Sequence, residues 1–261
     1  MSGRILLLRS GAAGSEEAYR GDVTVLHTHA VKPRPEGVAE ALAFEAEGAT
    51  LVVSSKETIR LLLPLFRSRF AQMLAVGEET GDLLRRVILG GSDAFRRSGE
   101  TIQRVANATS VIVPELPGAA GVIDFLRTSS SSVSSTPMRI LWPRGSDAAR
   151  EPLEQILGLG IQLSAPVVYE KHPLSASEMN PSILADFRAG RFAAVAVGST
   201  AGLDALLAAL DLPAASLPPL KWGVLGPETV KALEARGLPS PSVPTHANIA
   251  ELLDLLRKEI R

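Results

Sequence analysis

The stretch from Trp222 to Gly237, WGVLGPETVKALEARG, narrows the possible folds more than any other, because the chain carries its pattern twice. It reads as a short apolar strand, a tight turn at Gly226-Pro227 and an amphipathic helix. Pro227 suits the first helical position, where its missing N–H is not needed, and Gly237 stands where a helix C-terminal stop belongs. Met73 to Arg86, MLAVGEETGDLLRR, repeats strand, Gly77, acidic residue, Thr80 and helix. Two more pairs follow. VVSSKETIRLLL from Val52 parallels AVGSTAGLDALL from Ala196, and ILLLRS from Ile5 parallels ILWPRGS from Ile140. The members of each pair lie about half the chain apart. Such a period is too long for a solenoid and predicts two similar α/β halves.

Composition sets the outer limits. A chain of 261 residues with 46% hydrophobic and 21% charged residues can bury substantial cores as one large or two medium domains. A net charge of −1 argues against a nucleic-acid binder held by a strong positive field. The absence of cysteine excludes disulfides, a thiolate nucleophile and zinc–thiolate sites. The N-terminus runs into a strand without a signal-peptide layout, and apolar runs such as LLLPLF from Leu61 fall far short of a membrane span. The expectation is a cytoplasmic protein with neither nucleic acid nor membrane as partner.

Taken in order, the pattern predicts strands at Arg4 to Arg9 and Asp22 to His27, with the glycine-rich Ser10 to Ser15 as a loop that lacks a dinucleotide fingerprint. His27 and His29 share a strand face. That placement suits either two metal ligands needing further partners or a linker strand, extended through the prolines of VKPRP. Helix Glu36 to Glu47, strand Ala49 to Ser54, helix Lys56 to Phe66, strand Ala71 to Val76 and helix Glu78 to Val87 follow. Alternation of this kind means a parallel sheet. Helix Glu100 to Asn107, strand Val111 to Pro114 and helix Ala119 to Arg127 lead to the serine run from Thr128 to Thr136. Strand Met138 to Trp142, helix Asp147 to Leu157 and a long extended run, Gln162 to His172, come next. The remainder reads as helix Pro181 to Ala189, strand Ala193 to Val197, helix Ser199 to Leu210, strand Trp222 to Leu225 and helix Pro227 to Arg236. A last strand near Pro241 to Val243 precedes helix Ile249 to Arg261, with Asn248 and Glu251 as a capping box.

The order and spacing of six stretches resembles the uroporphyrinogen-III synthase family: VVSSKETIRLL, LAVGEETGDLL, RILWPRGSDAAREPLEQILGLGIQL, VVYEK, VAVGSTAGLDALL and GVLGPETVKALEARG. The serine-rich insertion around Ser131 and GSDAFRRSGET after Leu89 depart from the family pattern. The resemblance implies two similar α/β lobes with parallel sheets flanked by helices, joined by two antiparallel linker strands. The first lobe would combine residues 1–30 with 173–261, the second would hold 36–163, and 31–35 and 164–172 would be the linkers. It implies a cofactor-free, monomeric lyase of tetrapyrrole biosynthesis that cyclises hydroxymethylbilane, a substrate the preceding pathway enzyme could hand over. The site would lie in the cleft between lobes, which would close for catalysis.

Carried over by motif, the implied substrate-binding residues are Ser55, Lys56, Thr80, Ser199 and Thr229, with Tyr169 of VVYEK as the implied catalytic residue. Where the family has a proline after the serine of the Ser199 motif, this chain has Thr200. The residues point the same way on physical grounds. An open tetrapyrrole bearing many carboxylates needs donors spread over a wide surface, and strand ends followed by helix N-termini supply them at Gly77, Gly198 and Gly226. Arg144 would add charge, as would Arg9 and Lys171. The serines and threonines also serve as helix caps, which alone would account for them. Tyr169 is the expected donor to the leaving hydroxyl, and a phenol is a weak acid near neutrality, so its expected role is moderate. No metal is called for. The competing readings are a two-lobed, non-catalytic binding protein for an anionic small molecule and a glycosyl or nucleotide transferase. The second would want a phosphate-cradling glycine loop or paired carboxylates at strand ends.

Overall fold

The computed structural model describes residues 3–10, 21–44, 47–66, 70–90, 110–116, 118–130, 137–212, 216–246 and 248–261. The helix expected over Glu100 to Asn107, the loop after Ser10 and most of the serine run lie outside them. In chain order the elements are β1 (Ile5–Ser10), β2 (Val23–Pro33), α1 (Pro35–Ala43), β3 (Thr50–Val53), α2 (Lys56–Leu62), β4 (Gln72–Ala75), α3 (Glu78–Gly90) and β5 (Val111–Ile112). There follow α4 (Gly118–Ser130), β6 (Arg139–Leu141), β7 (Arg144–Gly145), α5 (Glu151–Leu157), β8 (Gln162–Ser164) and β9 (Val167–Pro173). The chain ends with α6 (Pro181–Arg188), β10 (Ala194–Val197), α7 (Thr200–Leu210), β11 (Lys221–Val224), α8 (Pro227–Ala235) and α9 (Ile249–Glu259).

These elements divide into two compact units, Met1–Val31 with Lys171–Arg261, and Lys32–Glu170. In the first unit four parallel strands stand in the order β11-β10-β1-β2. Side chains alternate across this sheet. Leu6 and Leu8 join Phe187, Leu203, Leu206 and Leu233 on one face, while Ile5 and Leu7 join Leu252, Leu253 and Leu256 of α9 on the other. Cover on both faces explains why β1 is a nearly unbroken aliphatic run. The strand expected near Pro241 to Val243 is a single bridge, Gly223 to Ser242. Gly223 is glycine because a methyl group there would lie 2.7 Å from Leu252 Cδ1.

The second unit holds the parallel sheet β5-β4-β3-β6-β8. Val52, Leu74, Ile140, Trp142, Val122, Leu126 and Ile156 pack together in one cluster. The run Gln162 to His172 is two strands, not one. It breaks at Ala165-Pro166, where proline has no N–H for the ladder, and β9 pairs instead with the two-residue β7. The helix expected from Asp147 begins only at Glu151, with Pro152 in its first turn, and residues 147–150 after β7 are turn, bend and coil.

Strands β2 and β9 carry the chain between units. Within the first unit Leu174 N–H donates to Thr28 O, and within the second Arg34 N–H donates to Val168 O. Residue numbers therefore fall on one strand as they rise on the other, an antiparallel register.

Two charged clusters tie the first unit's elements together. Arg257 of α9 forks onto Asp22 at 2.8 and 3.1 Å, and hydrogen bonding to Asp22 raises the guanidinium pKa further. Arg4 donates to Asp186 of α6 at 2.9 Å and Arg191 donates to it at 2.8 Å. The Arg4 hydrogen bond holds the Asp186 carboxyl below its ordinary value against a smaller opposing effect of burial. A depressed carboxyl stabilises the fold above the unfolded pKa, and that contribution is lost as pH falls through the folded one. Asp186→Asn should therefore melt earlier than wild type near neutrality, with the gap closing below about pH 4. Thermal melts across that range check it, and a gap independent of pH contradicts it.

Candidate active site

In both units a strand ends in serine and a helix follows at once. Ser55 caps α2 with φ −153° and ψ 155°, its Oγ accepting from Thr58 N–H at 3.1 Å. Ser199 caps α7 with φ −159° and ψ 154°, its Oγ accepting from Gly202 N–H at 3.3 Å. The two turns are conformational copies, as the paired motifs predict. Each places N–H groups and a partial positive charge at the carboxyl end of a central parallel strand, the place where α/β sheets receive ligands.

The second pair of turns is built on glycine. Gly226 caps α8 without a side-chain hydrogen bond, with φ −162° and ψ 168°. Any residue adopts that backbone, and a methyl group on Gly226 or on Gly77 would meet no atom of the described residues within 4 Å. Neither packing among the described residues nor the Gly226 backbone demands glycine there. Gly198 is more enclosed, with Leu8 O at 3.8 Å from such a methyl. Thr229, in the first turn of α8, is 7% exposed, and Thr80, in the first turn of α3, is half-buried.

Tyr169 is the best-defined side chain of the group. It is 3% exposed, and its hydroxyl donates to Ser55 Oγ at 3.0 Å. Ser55 Oγ thus accepts from both Tyr169 and the Thr58 main chain, which uses its two lone pairs, so its own hydrogen goes to Thr58 Oγ1 at 3.0 Å. The chain Tyr169–Ser55–Thr58 runs inward, Thr58 being 2% exposed. In this geometry the phenol proton points at Ser55, whereas the sequence reading aims it at a leaving hydroxyl. The spacing of 114 residues between the partners hid this bond from the sequence.

Two of the candidate cations have partners. Lys56, with 16% of its side chain exposed, pairs with Glu79 Oε2 at 3.0 Å. Arg144 donates from Nη1 to Ala148 O at 3.2 Å, while its Nε is buried with no hydrogen-bond partner among the described residues. The structure thus brings Tyr169 and Ser55 into contact and ties Lys56 to α3. In the other unit Ser199 and Gly198 gather at the end of β10, and Thr229 and Gly226 at the end of β11.

His29 is 5% exposed and its Nδ1 lies 3.0 Å from Thr28 Oγ1. Among the described residues no group of three or more His, Asp or Glu side chains could hold a metal. Two surface hollows lie away from the strand ends. One, of about 360 Å³, is lined by α4 and α5 residues including Ile123 and Pro152. The other, of about 790 Å³, lies where β10 and β11 begin, around Lys221, Trp222 and Glu259. Among the described residues no helix is long and apolar enough to cross a membrane.

The fold is similar to that of uroporphyrinogen-III synthetase from Helicobacter pylori, with a TM-score of 0.51 and 13% identity over 99% of this chain and 100% of that one. A mutant uroporphyrinogen III synthase from the extremely thermophilic bacterium Thermus thermophilus aligns at 12% identity over 98% of both chains, with a TM-score of 0.49. No curated protein matches the chain in sequence. The model of the uroporphyrinogen-III synthase HemD family matches residues 17–254. That match takes in nearly the whole chain, and with it the chain belongs to the uroporphyrinogen-III synthase family, enzymes of tetrapyrrole biosynthesis.

Proposed function

We propose that this protein converts hydroxymethylbilane into uroporphyrinogen III, acting as a hydro-lyase that closes the ring while inverting its last pyrrole. The observation that carries this reading is the duplicated strand-end turn, Ser55 with Gly77 in one unit and Ser199 with Gly226 in the other, within a chain of this family.

The substrate loses its hydroxyl with a proton as water, leaving an azafulvene. The substituted carbon of the terminal pyrrole attacks it to form a spiro intermediate. That intermediate fragments at the older bond and recloses through the free carbon of the same ring, which then gives up a proton. No electrons are exchanged with any partner. Unassisted, the azafulvene is attacked by the free carbon directly and the symmetric isomer results. The protein's task is therefore chiefly to hold one conformation of a flexible polyanion, an orientation effect.

The first-turn N–H groups after Gly77, Gly198 and Gly226, with Thr80 and Thr229, bind the acetate and propionate groups. Charge-assisted hydrogen bonds of this kind are worth about 1.5–3 kcal/mol each, so a handful suffices. Lys56 and Arg144 add charge, Lys56 by exchanging Glu79 for a substrate carboxylate. Ser199 caps its helix and sets the direction of these donors. Tyr169, braced by Ser55, contacts the reacting end of the bilane. Catalytic amounts of the protein should consume freshly generated hydroxymethylbilane many-fold faster than spontaneous closure. Consumption at the spontaneous rate would refute the reading.

A further inference from the structure

We propose that Thr58 is a positioning residue for Tyr169: it takes up the hydroxyl hydrogen of Ser55 and so keeps the serine oxygen turned to the phenol as an acceptor. Tyr169 meets the bilane only on the function proposed above, and this inference rests on that reading. Ser55 and Ser199 cap α2 and α7 with the same backbone, each accepting from the main-chain N–H of the residue three further on. That residue is Thr58 in one turn and Gly202 in the other. Gly202 has no side chain, and α7 is capped all the same. The cap therefore has no use for the Thr58 hydroxyl. What the Ser55 turn has in addition is Tyr169, whose hydroxyl donates to the capping serine at 3.0 Å.

Burial makes the same point. Thr58 is 2% exposed, beside the equally buried Ile59. A hydroxyl taken out of water costs free energy unless it is hydrogen-bonded, so valine, of the same shape, would fill such a position at lower cost. Among the described residues the side chain within hydrogen-bond distance of Thr58 Oγ1 is that of Ser55, at 3.0 Å. The buried hydroxyl is directed at the serine that holds the tyrosine.

The geometry then sets the role. Tyr169 is 3% exposed, and its ring lies against Gly145, where a methyl group would sit 2.6 Å from Cε2. Packing fixes the ring, which leaves the direction of the phenol hydrogen to be settled by hydrogen bonding. Ser55 Oγ accepts from Tyr169 and from Thr58 N–H, so its own hydrogen goes to Thr58 Oγ1. Without that acceptor the serine hydrogen would turn toward the phenol oxygen, and the two hydroxyls would exchange roles as donor and acceptor. Thr58 therefore sets the polarity of a bond in which it takes no part. It acts on the bilane through Tyr169.

The test compares wild type, Thr58→Val, Thr58→Ser, Tyr169→Phe and the double variant carrying Thr58→Val with Tyr169→Phe. All are made in the full chain, with hydroxymethylbilane released in situ, kcat/KM for type III formation measured and melting temperatures recorded. Thr58→Val keeps the volume and loses the hydroxyl, and should lower kcat/KM about fivefold, within the value of one hydrogen bond. Thr58→Ser keeps the hydroxyl and should retain roughly half of the wild-type value or more. In the Tyr169→Phe background Thr58→Val should change the rate by less than about twofold, because the bond it orders is gone. A threonine that only packs against its neighbours would lower the rate by the same factor in both backgrounds. That result would overturn the inference, as would wild-type kinetics in Thr58→Val, equal losses in the valine and serine variants, or full activity in Tyr169→Phe. If the valine variant does not fold, Thr58→Ala takes its place under the same criteria. A wild type that makes no type III isomer refutes the proposed function itself, and this inference with it; an active wild type with an unaffected Thr58→Val variant refutes the inference alone.

Discussion

Tyr169→Phe is expected to lower the rate of type III formation roughly ten- to a hundredfold while the melting temperature moves by only a few degrees. The phenol oxygen is the one polar atom of a side chain that is otherwise buried, and its bond to Ser55 spans 114 residues of sequence. Phenylalanine keeps the ring and the packing beside Gly145, where a methyl group would sit 2.6 Å from Tyr169 Cε2. What is lost is one hydrogen bond at the substrate and one to Ser55, about 1–3 kcal/mol of orientation, which is the stated range in rate. Ser55 keeps its bond from Thr58 N–H, so α2 stays capped. Ser55→Ala should reproduce part of the loss, because it frees the phenol to rotate. The double variant should fall short of the product of the two single effects, as expected when two groups act as one. Full activity in Tyr169→Phe would remove the tyrosine from the mechanism.

Gly37→Ala should be among the most damaging small changes to the fold. A methyl group on Gly37 of α1 would lie 1.9 Å from Val167 O and 2.6 Å from Val167 C. Both are main-chain atoms of β9 and cannot turn aside as a side chain would, so helix and strand must part. Overpacking of this kind costs about 3 kcal/mol or more, which in a protein of this size lowers melting by roughly 10 °C. Val167 stands two residues before Tyr169, so activity should fall further than stability alone explains. Gly226→Ala is the contrasting case. The added methyl meets no atom of the described residues within 4 Å and the backbone is extended. Melting should hold within about 2 °C while, on the proposed function, affinity for the bilane drops because the methyl hinders approach to the main chain. Unchanged melting in Gly37→Ala would contradict the packing described here.

The repeat made the fold legible. Strand, small residue, helix is a local pattern, and Ser55 and Ser199 adopt the same cap because the same short-range hydrogen bond fixes both. Asn248 likewise caps α9 as its sequence suggests, accepting from Ala250 and Glu251 N–H. Glu251 departs from the expected capping box. It accepts from the main chain of Thr245 and His246 upstream, and although burial opposes it, these contacts and the His246 side chain hold its carboxyl below the ordinary value.

What the sequence hid is what distance in the chain conceals. The two-residue β7 has no periodicity to read, and the break at Pro166 was masked by apolar residues on both sides. Lys56 looked like a ready cation, but Glu79 sits on a different helix and becomes its partner only through the fold. The direction of the Tyr169 proton depends on a contact with Ser55, 114 residues away, which a single strand does not reveal.

The central claim is that these paired turns hold one conformation of the bilane, and product identity tests it most directly. Hydroxymethylbilane should be generated in situ, exposed to the purified protein, oxidised and resolved into porphyrin isomers. The account predicts that the type III isomer dominates at catalytic protein concentrations and that Tyr169→Phe moves the mixture toward type I. A mixture indistinguishable from spontaneous closure, at any protein concentration, contradicts it.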